Sequence, residues 1–186
     1  MRPNKRDELV RKALRAFYQN GFQATGMDKL VAETGISKTS MYKHFRTKED
    51  LILAVLRLRD EEFRNWLYRR MEELAATPKG QLIALFDAIE EWFAEPDYRS
   101  CLFIKASCEF QEADHAIHQQ SADHIRMLER HITALAEAAG LAEPAALARQ
   151  LLLLMDGAIV TAHFGTTENP AQDAKRAAER LVAAHG

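Results

Sequence analysis

Apolar residues recur along this chain at helical spacing, and almost every stretch of it reads as one-sided or buried helix. From about Lys5 to Asn20, Leu9, Ala13, Leu14 and Phe17 form a stripe that Gly21 ends. Met27, Leu30 and Val31 follow at i, i+3, i+4, and Met41 and Phe45 at i, i+4 mark a second short helix. Leu51, Ile52, Val55, Leu56, Phe63 and Leu67 define a long fourth helix from about Lys48 to Leu74. At roughly 1.5 Å per residue it is about 40 Å long, enough to leave one domain and enter another. Thr77-Pro78-Lys79-Gly80 breaks the chain, and further helices are expected over about Gln81–Ala94, Arg99–Gln111 and His115–Ala139. The eighth begins with Pro144 in its first turn and the ninth at Asn169-Pro170, both places where a missing N–H is harmless.

The boundaries between residues 22 and 50 carry more information than the stripes. Thr25 with Asp28 fits a capping box, Gly35 supplies the left-handed stop, and Ser37 caps the next helix after a three-residue turn. Thr47 with Asp50 repeats the box and launches the long helix. Two short helices joined by a tight turn form a helix-turn-helix, whose second helix enters the major groove of DNA. On that helix Thr39 and Lys43 face away from Met41 and Phe45, with Ser40, Tyr42 and His44 beside them. The expected fold is all-α with about nine helices: a three-helix DNA-binding domain over residues 1–47, and a helical bundle over 48–186 for ligand sensing and dimerisation.

Charge supports this reading. Residues 1–50 hold eleven Lys or Arg against six Asp or Glu, a net of +5; with −2 for the whole chain, residues 51–186 carry −7. Such an asymmetry points to a polyanionic partner for the basic end. A length of 186 residues suits one or two domains, and 47% hydrophobic content suffices for a core. The charged N-terminus lacks a signal peptide's apolar stretch, and the longest uncharged run, Gly157 to Thr167, is short and partly polar. No membrane span is expected, and two cysteines suit a reducing cytoplasm.

Gly21-Phe22-x-x-Thr25, Gly35-Ile36-Ser37 and Tyr42-x-His44-Phe45-x-x-Lys48 closely resemble the N-terminal domain of the tetracycline-repressor (TetR) family. The motif-level resemblance covers about a quarter of the chain. It implies that the second motif helix is the recognition helix. Thr25 and Gly26 would present a helix N-terminus to phosphate; Lys38, Thr39, Ser40 and Lys43 would face base edges or nearby phosphates; Tyr42, His44 and Lys48 would clamp the backbone. It implies a repressor that binds a palindromic operator as a homodimer and is released by a small molecule.

The last two helices carry seam patterns of their own. Leu147, Leu151, Leu154 and Ala158 recur on the eighth, and Ala174, Ala178 and Leu181 on the ninth, where small residues let helix axes approach. Because the eighth is apolar nearly all round, it needs cover on every side, and a homodimer through a four-helix bundle is expected on these residues. Phe86, Trp92, Phe103, Phe110, Met127 and Met155 could wall an effector pocket between helices, although plain core packing is the better account of any one of them.

Three other chemistries leave weaker signs. His115, His118 and His124 lie close in sequence but lack the spacing of a metal site. Cys101 and Cys108 lie two turns apart, too far for a disulfide within one helix, and Lys105 and Arg99 could activate either thiol as a sensor. No glycine-rich phosphate loop, nucleophile elbow or helical HExxH is present, so neither an enzyme nor a cofactor is expected. The alternative function is a DNA-binding protein governed by a protein partner or by thiol oxidation.

Overall fold

The computed structural model describes residues 4–186, so Arg2 of the basic segment lies outside it. Among the described residues the chain is helical without strands: α1 (Lys5–Asn20), α2 (Met27–Thr34), α3 (Lys38–His44), α4 (Lys48–Leu74), α5 (Pro78–Phe93), α6 (Leu102–Glu109), α7 (Ala116–Ala138), α8 (Pro144–Phe164) and α9 (Pro170–Ala184).

Local chemistry sets most of these ends. Asn4 caps α1 by accepting the Asp7 N–H at 2.8 Å, and Gly21 closes it at φ 81°. Gly35 ends α2 in the left-handed region, and Ser37 caps α3 by accepting from the Ser40 N–H at 3.3 Å. Thr47 and Asp50 make the reciprocal box ahead of α4, each side chain accepting the other's N–H at 3.0 Å.

Two boundaries differ from the sequence reading. Thr25 does not cap α2; Gly26 holds the cap position without a side-chain bond. The Thr25 N–H closes a turn onto the Phe22 carbonyl, which draws the side chain inward, where its hydroxyl donates to the Gly21 carbonyl at 2.7 Å. Thr77-Pro78-Lys79-Gly80 is a helix start rather than a break. Thr77 accepts from the Gly80 N–H, and Pro78 takes the first position of α5.

The helices gather into two compact units. One comprises the chain up to Glu62 together with Leu102–His124; the other comprises Phe63–Cys101 and Ile125–Gly186. In the first, Leu9, Ala13, Phe17, Phe22, Leu30, Ile52 and Leu56 are wholly buried. Phe17 and Phe22 meet at 5.2 Å between ring centroids. Each large apolar side chain removed from water contributes about 1.5–3 kcal/mol. Asp60 lies in the same unit, buried against His124 Nδ1 at 2.7 Å, with the Phe103 ring stacked on that imidazole at 3.8 Å.

In the second unit α9 packs on both α5 and α8. Lys175 bonds both carboxylate oxygens of Asp87, at 2.7 and 2.8 Å, and Gln172 donates to Glu90. Arg70 grips Glu91 with two bonds of 2.8 Å and holds that carboxyl below its ordinary range.

This packing draws on the expected seam within the chain itself. Leu147, Leu151, Ala158, Ala174 and Ala178 are buried within the chain itself, and Leu154 and Leu181 are half-buried. The small residues of α9 permit a close approach inside one chain. The opposite face of α8 is the one left open, with Leu153 73% and Phe164 71% exposed and Gly157 between them. α8 corrects the membrane expectation. Its 21 residues, 18 of which have a mean hydropathy of 1.4, are long and apolar enough to cross a bilayer by length and composition. The face toward α5 and α9 accounts for much of that apolarity, as it would in any core helix.

Candidate nucleic-acid interface

The motif sits on a sealed base. Met41 and Phe45 of the α3 segment are buried, together with Leu30 of α2. The Arg6 guanidinium lies 5.0 Å above the Phe45 ring. Burial of that face turns Thr39, Tyr42, Lys43 and His44 outward; Tyr42 is 48% exposed despite its aromatic ring.

The nine residues singled out from sequence are not equivalent. Gly26, Lys38, Thr39, Tyr42, Lys43 and His44 are exposed, and Ser40 is half-buried. Lys38 Nζ pairs with Asp28 at 3.3 Å. Thr25 is fully buried, so its hydroxyl does not face solvent. Lys48 turns inward as well, with Nζ donating to the Phe22 carbonyl at 2.8 Å and the Thr25 carbonyl at 3.4 Å.

Arg46 was missed by sequence reasoning. Phe45 has extended backbone at φ −136° and ψ 125°, so the side chains at 45 and 46 point to opposite sides. Since Phe45 is buried, Arg46 is exposed. A signal existed: an aromatic residue that closes a helix and precedes a Thr cap forces its successor outward. Among the described residues no hydrogen bond or ion pair holds Lys43 or Arg46, which leaves two solvated cations beside the polar face of α3. Together they can bind a phosphate chain electrostatically and offer hydrogen-bonding side chains to base edges.

The residues expected around an effector are dispersed. Phe86, Trp92 and Met155 are buried in the second unit, where Trp92 meets Phe63 at 4.9 Å and Tyr98 at 5.0 Å. Phe103 and Phe110 belong to the first, Phe110 lying edge-on to Phe22 at 6.2 Å. Met127 is 41% exposed and walls no interior space, because the inner face of α7 is supplied by Leu128 and Ile132.

The histidines have separate partners: His115 approaches Glu49 at 3.7 Å, His118 meets the Phe110 carbonyl at 2.9 Å, and His124 meets Asp60. Among the described residues no three His, Cys, Asp or Glu are grouped as a metal site. Cys101 is buried just ahead of α6, and Cys108 is exposed on it.

Two helices of eight and seven residues, a glycine stop, a capped second helix and a polar outer face define a helix-turn-helix motif. Residues 9–55 match the family described as bacterial regulatory proteins, tetR family. The transcriptional repressor KstR2 of Mycolicibacterium smegmatis is 32% identical over 99 residues, 50% of this chain. That match spans a little under half of KstR2, 46%. A TetR-family transcriptional regulator from Streptomyces coelicolor superposes at a TM-score of 0.90 with 27% identity, covering 97% of this chain and 89% of that one. A regulator of the same type from Streptomyces avermitilis gives 0.87 at 26% identity, covering 98% of both chains. The match places residues 9–55 in the N-terminal domain of that family, and the whole chain shares the fold of these solved regulators.

Proposed function

We propose that this protein is a transcriptional repressor that binds a palindromic operator as a homodimer and leaves it when a small molecule binds. The observation that carries the reading is the pair Lys43 and Arg46, exposed and unpaired among the described residues at the end of a helix whose inner face is sealed. Residues 1–47 then act as the DNA-binding module, with Thr39, Ser40, Tyr42 and His44 completing the reading face. Residues 48–186 act in sensing and dimerisation. The bound partner is double-stranded DNA, so the site of action is the cytoplasm.

The exposed Leu153, Gly157 and Phe164 face of α8 supports dimerisation, since a second copy would cover it by two-fold symmetry. Two recognition helices one DNA turn apart then read a palindrome. The effector must bind the DNA-free conformation better than the DNA-bound one, because equal affinity for both shifts nothing. Phe86, Trp92 and Met155 are the buried apolar side chains nearest such a role in the second unit.

The decisive experiment is a pair of titrations. Selection from a random duplex library by the full chain should enrich a palindrome, with a counterpart beside the chain's own coding region. Metabolites that raise the melting temperature should then weaken binding to that palindrome, and the DNA should weaken metabolite binding by the same factor. A coupling of about 1–3 kcal/mol is ordinary. Enrichment of no duplex would exclude the reading.

A further inference from the structure

We infer that Lys105 and Glu109 of α6 are positioning residues for the DNA-binding motif, gripping the junction between α1 and α2 with opposite charges. This rests on the reading of that motif as DNA-binding. The two side chains are i, i+4 on one helix and therefore share a face. Lys105 Nζ donates to the Tyr18 carbonyl at 3.1 Å, in the last turn of α1, and lies 5.3 Å from the Tyr18 ring centroid. Glu109 takes the segment that follows. Its Oε1 accepts the Phe22 N–H at 3.0 Å and its Oε2 the Gln23 N–H at 2.5 Å. The cation thus meets the carbonyl end of α1, and the anion meets the free N–H groups beyond it, so each charge sits at a pole of matching sign.

The helix that carries Glu109 does not explain it. Glu109 is the last residue of α6, where the carbonyl pole disfavours a carboxylate. The loop amides do explain it. Phe22 is wholly buried, and its N–H needs a protein acceptor. Gly21 makes the approach possible, because a Cβ there would stand 2.9 Å from Glu109 Oε1. Phe110 adds its edge-on packing against Phe22. From α4, Lys48 takes the carbonyls of Phe22 and Thr25. The Phe22 and Gln23 N–H groups of this loop therefore go to α6, and its Phe22 and Thr25 carbonyls to α4.

The consequence is mechanical. Two charge-assisted bonds tolerate only a few tenths of an ångström before they weaken, so α6 either carries the loop with it or breaks the pair. The loop leads directly into α2, which packs on α3, so the position of α6 sets the attitude of Lys43 and Arg46.

The test uses the full chain and a duplex that the parent enriches from a random library. Glu109→Gln keeps the size of the side chain but leaves one acceptor oxygen instead of two and removes the charge. It should bind the duplex about tenfold more weakly, the scale of losing a charged hydrogen bond. Amide exchange at Phe22 and Gln23 should accelerate while Met41 and Phe45 stay protected. Lys105→Met, at the other point of the grip, should weaken binding in the same direction. Unchanged duplex affinity in both variants would overturn the inference while leaving the DNA-binding reading intact. So would a loss accompanied by fast exchange throughout α1 to α3, since that would mean unfolding rather than positioning. A parent that enriches no duplex would overturn the DNA-binding reading itself, and this inference with it.

Discussion

The Lys48 ammonium lies 2.8 Å from the carbonyl oxygen of Phe22, twenty-six residues earlier in the chain. A lysine at the start of α4, beside the motif, would ordinarily be assigned to phosphate. Here it closes the α1–α2 loop from below and is half-buried in doing so. Its neighbours Lys43 and Arg46 are exposed instead.

Substitution should separate these two roles. Lys43→Ala and Arg46→Ala should each flatten the dependence of log affinity on log salt by about one unit, with little change in melting temperature. Lys43→Ala should also relax base preference. Lys48→Ala should instead lower stability by about 1–3 kcal/mol, because the Phe22 and Thr25 carbonyls lose a charged donor. Salt titrations and urea unfolding of the three variants decide it. An unchanged unfolding midpoint for Lys48→Ala would return that residue to the phosphate.

The two faces of α8 should respond differently to the same substitution. Leu153→Glu places a charge on the exposed stripe and should give a folded monomer that retains half-site binding. Leu151→Glu places it in the interior and should cost roughly 3 kcal/mol or more, unfolding the second unit. Sedimentation and circular dichroism distinguish the outcomes. A Leu153→Glu protein that remains dimeric would move the interface elsewhere.

Asp156 predicts a pH dependence. Burial pushes its carboxyl up to about 6, and its Oδ1 has no hydrogen-bond partner among the described residues. Below about 3.8 the group is neutral in the folded and unfolded chains alike, and its contribution is fully retained. As pH rises toward 6 the unfolded chain ionises first, so stability falls, by roughly 3 kcal/mol in all, and is flat above. His131 works in the opposite sense: burial pushes its imidazole down despite Glu72, so its contribution is lost as pH falls below 6.5. The parent must therefore be compared with Asp156→Asn, which should be the more stable protein at pH 8. Equal stability of the two at pH 8 would show that the carboxylate is solvated.

Gly21 and Gly35 both have positive φ, at 81° and 68°, but their surroundings differ. At Gly35 an added Cβ meets open space, so Gly35→Ala should cost only the backbone strain, about 1 kcal/mol. At Gly21 the same methyl also meets the Glu109 carboxylate, so Gly21→Ala should cost clearly more. Thermal unfolding of the pair, with Glu109→Ala as background, should lower the Gly21 cost without bringing it to that of Gly35, because ψ 169° puts Gly21 in a region nearly confined to glycine and ψ 12° puts Gly35 in the left-handed helical one. An unchanged Gly21 cost in that background would show that the carboxylate moves aside freely.

What the sequence determined by itself was local. The Ser37 cap, the Gly35 stop and the Thr47–Asp50 box each join residues three or four apart, and the apolar stripes of α1 and α4 repeat within a few turns. Such interactions are written in neighbouring letters, which is why the motif, its outward Thr39 and Lys43, and the all-α class were legible. Tertiary structure decided whatever depended on a distant partner. α8 is apolar around most of its circumference, so periodicity could not say which face belongs inside. Packing against α5 and α9 buried Leu147 and Leu151 and left Leu153 and Phe164 out. Thr25, read as a cap, was drawn inward by the turn at Phe22. The grip of Lys105 and Glu109 on the loop after α1 spans more than eighty residues. A carboxylate at the end of a helix shows its reason only when the amides it serves are brought to it by the fold.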